Sequence, residues 1–250
     1  MWVYPKYKEG DTDIFRPIRQ HMIEVRDLCK TYGDKTVIEN LTCSFESGHV
    51  YSIIAPNGTG KTTFISILSG LLLPSSGKVL FSGKHSVKDT YIVLAGEKNL
   101  YAKNTVKENA QYIGRISGKT AKEIREKTNL LREKFPVYNE VFESLVERLS
   151  FGQKRLVSLL SSVVADSSCI IMDEVSEGLD ISHVSMIFEM IEFLKKDRII
   201  ILASHDYDFI ANVSDYSWFL KNGNFQEMFG RLSKDQLVAT YKDLYTEKEI

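Results

Sequence analysis

From residue 22 onward, apolar and polar positions follow two periods, and the places where one gives way to the other mark the elements. Residues 22–28 alternate as a strand does. Residues 36–46 alternate too, with Val37, Leu41, Cys43 and Phe45 on one face and the turn residues Gly33-Asp34 just before. Residues 50–54 are a short apolar run, the pattern of a strand covered on both faces. Residues 61–72 switch to helical spacing, with Phe64, Ile65, Ile67, Leu68 and Leu71 inward and Pro74 and Gly77 closing the helix. Two short strands follow, at 78–82 and 90–94.

The middle of the chain has a different character. Residues 106–116, 121–134 and 151–164 carry helical spacing with no strand pattern between them. This predicts a helical insert at about 97–165 within an α/β domain spanning 21–230. Strands return at 168–173 and 198–203, separated by a helix at 181–195. A hairpin is expected at 216–220 and 224–229, because Asn222-Gly223 supplies the two residues that tolerate positive φ. Ser233 is placed to cap a last helix running to about Tyr245, within a C-terminal segment 231–250. Residues 1–20 are polar, with Trp2, Tyr4, Tyr7 and Phe15 scattered and Pro5 and Pro17 breaking any helix. They read either as a loose tail or as an arm that packs on a partner through its aromatics.

Composition narrows the class without naming a function. The 250 residues suffice for one large domain with an insert, and 43% hydrophobic with 26% charged content is that of an ordinary soluble protein. A net charge of −1 removes any global pull toward nucleic acid. Cys29, Cys43 and Cys169 lack metal-ligand spacing and read as reduced core thiols. The most apolar stretch, 156–172, is broken by Asp166 and several serines and falls short of a membrane span. Residues 1–20 lack the apolar core of a signal peptide. If the protein works at a membrane, another chain is expected to span it.

The chemistry sits in two motifs. Residues 55–63 read Ala-Pro-Asn-Gly-Thr-Gly-Lys-Thr-Thr between a strand and a helix. This is a phosphate-binding loop: Ala55, Pro56, Asn57, Gly58, Thr59 and Gly60 make a turn of mostly small residues whose backbone N–H groups (all but Pro56, which has none) can face phosphate oxygens, and the following helix adds its positive end. Lys61 neutralises phosphate charge, the Thr62 hydroxyl is placed for magnesium, and Thr63 completes the motif. Alanine stands where glycine usually opens the pattern, and it fits only with negative φ. About 110 residues later, Cys169 to Met172 form an apolar strand ending on Asp173-Glu174. Asp173 would hold the magnesium through water, and Glu174 would orient and deprotonate an attacking water. ATP and Mg2+ are the expected ligands.

A third motif points to a family. Residues 149–155 read Leu-Ser-Phe-Gly-Gln-Lys-Arg, which resembles the Leu-Ser-Gly-Gly-Gln signature of the ATP-binding subunits of ATP-binding cassette (ABC) transporters. The resemblance runs from about residue 22 to residue 229. It implies a phosphate-loop core with an antiparallel β edge and a helical insert. It also implies that Ser150, Gly152 and Gln153 bind the γ-phosphate held by a second subunit, with Phe151 replacing the first signature glycine. By the same resemblance Tyr32 stacks on adenine, His205 is the switch histidine that touches the γ-phosphate, and residues 176–180 contact the partner copy. Val175 replaces the proline usual before that segment, and Gly96 with Glu97 falls where the family carries a glutamine.

The function implied is ATP binding and hydrolysis by a nucleotide-binding subunit that forms a homodimer or heterodimer and powers a separately encoded transmembrane permease. The short insert favours a two-component exporter over a sugar importer. The resemblance implies a chain peripheral to the membrane on its cytoplasmic face, and the charge balance gives no nucleic-acid partner. Two other readings stay open at this level: a soluble ABC ATPase such as the iron–sulfur assembly type, and a slow regulatory subunit marked by Ala55 and the missing glutamine.

Overall fold

A computed structural model describes residues 22–82, 86–94 and 99–246. The expectations for residues 1–20 and for Gly96 and Glu97 therefore lie outside the described residues. Strands β1 (Met22–Tyr32) and β2 (Lys35–Glu46) form an antiparallel hairpin. The wholly buried β3 (Val50–Ile54) leads through a loop into α1 (Lys61–Leu68). Then come β4 (Ser76–Phe81) and β5 (Thr90–Val93). Four consecutive helices follow: α2 (Val106–Ile116), α3 (Ala121–Lys134), α4 (Pro136–Val141) and α5 (Phe151–Ala165). The chain returns through β6 (Cys169–Asp173), α6 (Ile181–Leu194), β7 (Ile199–Ala203) and α7 (Tyr207–Val213). It ends in the hairpin β8 (Tyr216–Lys221) and β9 (Asn224–Phe229), and helix α8 (Lys234–Tyr245).

Among the described residues the strands make two sheets. One is antiparallel, in the order β2-β1-β4, and the other runs β5-β6-β7-β3-β8-β9. The second sheet is parallel from β5 through β8 and closes with the antiparallel β9. Alternation along β6 shows how it is covered on both faces. Ile170 and Met172 join a core with α2–α6, while Cys169 and Ile171 join a core with the antiparallel sheet and α1. Burial on both faces is the reason β6 and β7 read as hydrophobic runs, and β3 as one interrupted only by the buried Ser52.

Local chemistry sets the helix starts. Thr105 with Glu108, Thr120 with Glu123, Ser150 with Gln153 and Ser233 with Gln236 each form a reciprocal capping box at the first turn of α2, α3, α5 and α8. The expected hairpin turn is present, with φ of 52° at Asn222 and 74° at Gly223.

Three details differ from the sequence reading. Helix α1 stops at Leu68 and not at residue 72, because the chain turns at Gly70 with φ 73°; Leu71 is consequently 71% exposed, not inward. In β2 the fully buried residue is Ile38 and not Val37, because Asn40 takes φ 51° and interrupts the alternation. The short helices α4 and α7 carry too few turns to show a period in sequence.

Candidate functional site

The site forms where the central strands end. From β3 the chain runs through residues 55–60 into α1, whose N-cap Gly60 has φ 108°. A β-carbon there would stand 3.0 Å from the Val37 Cγ1, so the loop needs glycine for conformation and for space. Ala55 is buried and keeps a negative φ, the condition under which its methyl group is tolerated. The Lys61 ammonium lies across its own loop, donating to the carbonyl oxygens of Ala55 at 2.5 Å and Pro56 at 3.1 Å. The Thr59 hydroxyl donates to the same Pro56 oxygen at 2.7 Å. Burial lowers the Lys61 pKa, and the charges of Glu174 and Asp173 work against that shift.

Strands β6 and β7 bring the remaining chemistry alongside. Glu174 follows β6 in a left-handed backbone conformation, φ 49°, fixed by its N–H donating to the Ala203 carbonyl at 2.9 Å. Its carboxylate accepts from the His205 backbone N–H at 3.3 Å and lies 3.6 Å from the His205 Nε2. That same Nε2 is 3.2 Å from the Asn57 Oδ1, which joins the histidine to the phosphate loop. Burial raises the pKa of both Asp173 and Glu174, opposed by His205 and Lys61. An open cleft of about 380 Å³ is lined by Pro56, Asn57, Gly58, Gly60, Lys61, Thr62 and Thr63 from the loop and helix, by Asp173, Glu174 and His205, and by Val37.

Other expected residues lie outside this lining. Ser150, Gly152 and Gln153 sit at the start of α5, where the Ser150 Oγ accepts from the Gln153 N–H at 3.2 Å and the Gln153 Oε1 accepts from the Ser150 N–H at 3.0 Å. Tyr32 is 49% exposed at the end of β1, with the Lys30 ammonium 5.1 Å from its ring. Two residues were not anticipated. Val37 enters the cleft lining because the β2 irregularity gives the fully buried position to Ile38 and leaves Val37 half-buried at the edge of the core, and nothing in the alternation signals that. Arg155 is buried and donates to the Leu94 carbonyl at 2.6 Å, tying α5 to the end of β5.

A second cleft, of about 460 Å³, opens between α2 and α3. Its rim carries Lys107 and Arg115 from α2 and Arg125 and Arg132 from α3, over a floor that includes Ile124 and Phe142. Glu143 is its one lining acid and pairs with Lys107 at 2.9 Å.

A glycine-rich strand-to-helix loop holding a lysine, two strand-end acids and a histidine, on a parallel sheet flanked by an antiparallel one and a helical insert, defines a phosphate-loop ATPase of the cassette class. The family model described as ABC transporter matches residues 38–177, and the chain belongs to that family. Its relatives include the ABC transporter ATP-binding protein NatA of Bacillus subtilis, 28% identical over 81% of this chain and 87% of NatA. The lantibiotic transport ATP-binding protein SrtF of Streptococcus pyogenes is 28% identical over 81% of this chain and 88% of SrtF. The human glucosylceramide transporter ABCA12 is 32% identical over 80% of this chain, which spans only 8% of that much longer protein. A solved ATP-binding subunit of an ABC transporter superposes with a TM-score of 0.77 over 88% of this chain and 99% of its own length, at 22% identity, and shows the common fold. The chain is thus an ATP-binding, ATP-hydrolysing component of an ABC transporter.

Proposed function

We propose that this chain works as a separate nucleotide-binding subunit, that two copies enclose two ATP molecules, and that the cycle drives export through a separately encoded membrane subunit. The observation that carries the proposal is a division within one chain. Lys61, Asp173, Glu174 and His205 line one cleft, whereas Ser150, Gly152 and Gln153 lie outside it on the first turn of α5. A second copy supplies the missing half: its Ser150 hydroxyl and α5 N-terminus meet the γ-phosphate that the first copy's loop holds. Glu174 orients the attacking water and takes its proton, and His205, tethered to Asn57 and Glu174, contacts the γ-phosphate oxygens. Tyr32 stacks on the adenine from the exposed end of β1.

Thr62 and Asp173 offer only oxygen donors to the cleft, the ligand chemistry that magnesium prefers. Bound there, magnesium would supply charge neutralisation of the β- and γ-phosphates. The complete set of lysine, both carboxylates and histidine supports a competent site over a regulatory one. Among the described residues no helix is long and apolar enough to cross a membrane, so in this reading the permease is another chain and this subunit sits on its cytoplasmic face. A relative named for export supports the direction: the Nod factor export ATP-binding protein I of a Rhizobium species is 29% identical over 80% of this chain and 68% of its own length. The basic cleft between α2 and α3 supports the mode of docking: in this reading it receives an acidic cytoplasmic segment of the permease.

Glu174→Gln tests the reading. The variant is expected to bind ATP as tightly as the parent, to lose nearly all steady-state turnover, and to accumulate as an ATP-bound dimer by size-exclusion chromatography. Turnover at the parent's rate removes Glu174 from its role.

A further inference from the structure

The signature turn and the segment after β6, its loop and the first turn of α6, grip one another through two glycines. On one side, the His183 ring lies against Gly152: a β-carbon on that glycine would fall 2.3 Å from the His183 Cδ2 and 2.5 Å from its Cγ. On the other, the Phe151 ring lies against Gly178, where a β-carbon would stand 3.3 Å from the Phe151 Cε1. Each segment thus sends an aromatic ring onto the bare backbone of the other.

Both rings are held from behind. The His183 Nδ1 donates to the Asp180 carboxylate at 2.8 Å, and the His183 backbone N–H donates to the same oxygen at 2.9 Å. Ser182 adds a third donor to that oxygen at 2.6 Å. The imidazole therefore cannot swing away from Gly152 without breaking its bond to Asp180. Phe151 rests 5.3 Å from the Arg155 guanidinium, which is anchored on the Leu94 carbonyl. The capping box of Ser150 and Gln153 satisfies the helix start internally and offers no hold on the rest of the molecule. Core packing and the Arg155 bond hold the body of α5, and the two ring-on-glycine contacts add a hold at the turn itself.

We infer that this interlock sets the position of the signature turn relative to the loop that leaves Glu174, with His183 as a positioning residue for ATP turnover. The inference rests on the proposed role of Ser150, Gly152 and Gln153 at the second copy's nucleotide. A single copy binds ATP through its own loop and does not need the turn placed accurately. Hydrolysis in the two-copy arrangement does, because the Ser150 hydroxyl and the α5 N-terminus must meet phosphate oxygens at hydrogen-bond distance. Loss of the interlock is therefore a loss in kcat with ATP affinity retained.

The experiment compares the full chain with His183→Ala, Gly152→Ala and the double variant Gly152→Ala/His183→Ala, measuring ATP affinity, KM, kcat and Tm. His183→Ala is expected to lower kcat by about tenfold or more, the scale of a small misplacement of catalytic groups, with ATP affinity within about twofold of the parent. Gly152→Ala is expected to lose at least as much, because its methyl group displaces the ring. The double variant is expected to turn over faster than Gly152→Ala alone, because removing the ring opens the space that the methyl group needs; independent effects would instead multiply. Should His183→Ala melt below the assay temperature, His183→Asn, which keeps a planar group bonded to Asp180, is read with Gly152→Ala in the same way.

A kcat unchanged in the folded His183 variant overturns the inference, as does a double variant whose losses simply multiply. Ser150→Ala in the same assay separates the two levels. If it leaves turnover intact, the proposed role of the signature turn fails. If it abolishes turnover while His183→Ala keeps the parent's kcat, only the interlock fails.

Discussion

At the scale of single residues, the cleft is built from groups whose ordinary charge states burial disfavours. Lys61 is held against two carbonyl oxygens of its own loop, and burial pulls its pKa down while pushing those of Asp173 and Glu174 up. Lys61 and the two acids offset one another in part, while the Asp173 charge adds to the shift at Glu174, so removing the lysine leaves both acids less compensated. Lys61→Ala is expected to weaken ATP binding by at least about tenfold, or about 1.4 kcal/mol, from loss of a charge-assisted phosphate contact. Equilibrium titration with a fluorescent ATP analogue checks it, and near-parent affinity would remove the loop from its role. A second residue is informative about pH. Burial raises the Asp166 carboxyl, but donors from Lys119 and Lys127 outweigh it and hold the pKa down at about 2. A folded-state value below the unfolded one of about 3.9 means stability that is present above about pH 4 and lost as pH falls toward 2. Asp166 also has φ 62°, which asparagine accepts, so Asp166→Asn isolates the charge. With the side chain 47% exposed, solvent screening leaves about 0.5–1 kcal/mol for the pair. Urea unfolding should show that gap between parent and variant at pH 7, narrowing below pH 4; a gap independent of pH would assign the effect to packing.

At the scale of elements, the readable parts were those with a strong local signal. The capping boxes at Thr105, Thr120 and Ser150 put the starts of α2, α3 and α5 where the sequence places them. The apolar runs at β3, β6 and β7 were legible because both faces of a parallel sheet are buried. Most cleft residues could be named because the loop is one unbroken run and the two strand-end acids are adjacent in another, whereas His205 was named through the family resemblance. Val37 could not, since its place depends on a backbone irregularity at Asn40 that alternation does not encode. Arg155 was hidden for a different reason: its partner is a backbone carbonyl 61 residues away. The same distinction ranks two substitutions at the entry to the helical insert. Thr105→Ala removes an exposed cap and should cost about 1 kcal/mol. Asn109 is fully buried, and its amide accepts from the Tyr101 N–H at 2.8 Å and donates to the carbonyls of Tyr101 at 3.1 Å and Thr105 at 2.9 Å. Asn109→Ala strands the buried-side Tyr101 N–H, removes one of two donors from each carbonyl and empties a buried site, and should cost about 2–3 kcal/mol, a Tm loss at least twice that of Thr105→Ala. Equal losses by calorimetry would mean that the 101–105 segment finds other partners when Asn109 is gone.

At the scale of the whole molecule, charge is distributed unevenly. The chain carries a net charge of −1, yet the cleft between α2 and α3 gathers Lys107, Arg115, Arg125 and Arg132 around one acid. Lys107 is neutralised by Glu143, and Arg132 donates to Asn139 and lies 4.6 Å from the Phe142 ring. Arg115 and Arg125 have no ion-pair partner among the described residues, and both line the cleft together with the apolar Ile124 and Phe142. Two free guanidinium groups over Ile124 and Phe142 match a segment that presents carboxylates beside an apolar side chain. A permease segment of that kind would be steered in by the charges and held by the floor. Arg115→Glu/Arg125→Glu reverses two charges while leaving every cleft residue of the ATP site in place. ATP binding by the isolated chain should stay within about twofold of the parent, since the exposed charges are remote from the phosphate loop and screened by salt. Recovery of a polytopic membrane protein with the tagged chain in mild detergent should fall by more than about tenfold, the loss expected when two attractive pairs become repulsive. Raising the ionic strength during the parent's purification should reproduce part of that fall. Undiminished recovery of the membrane protein with the charge-reversed chain would move the docking surface elsewhere on the helical insert.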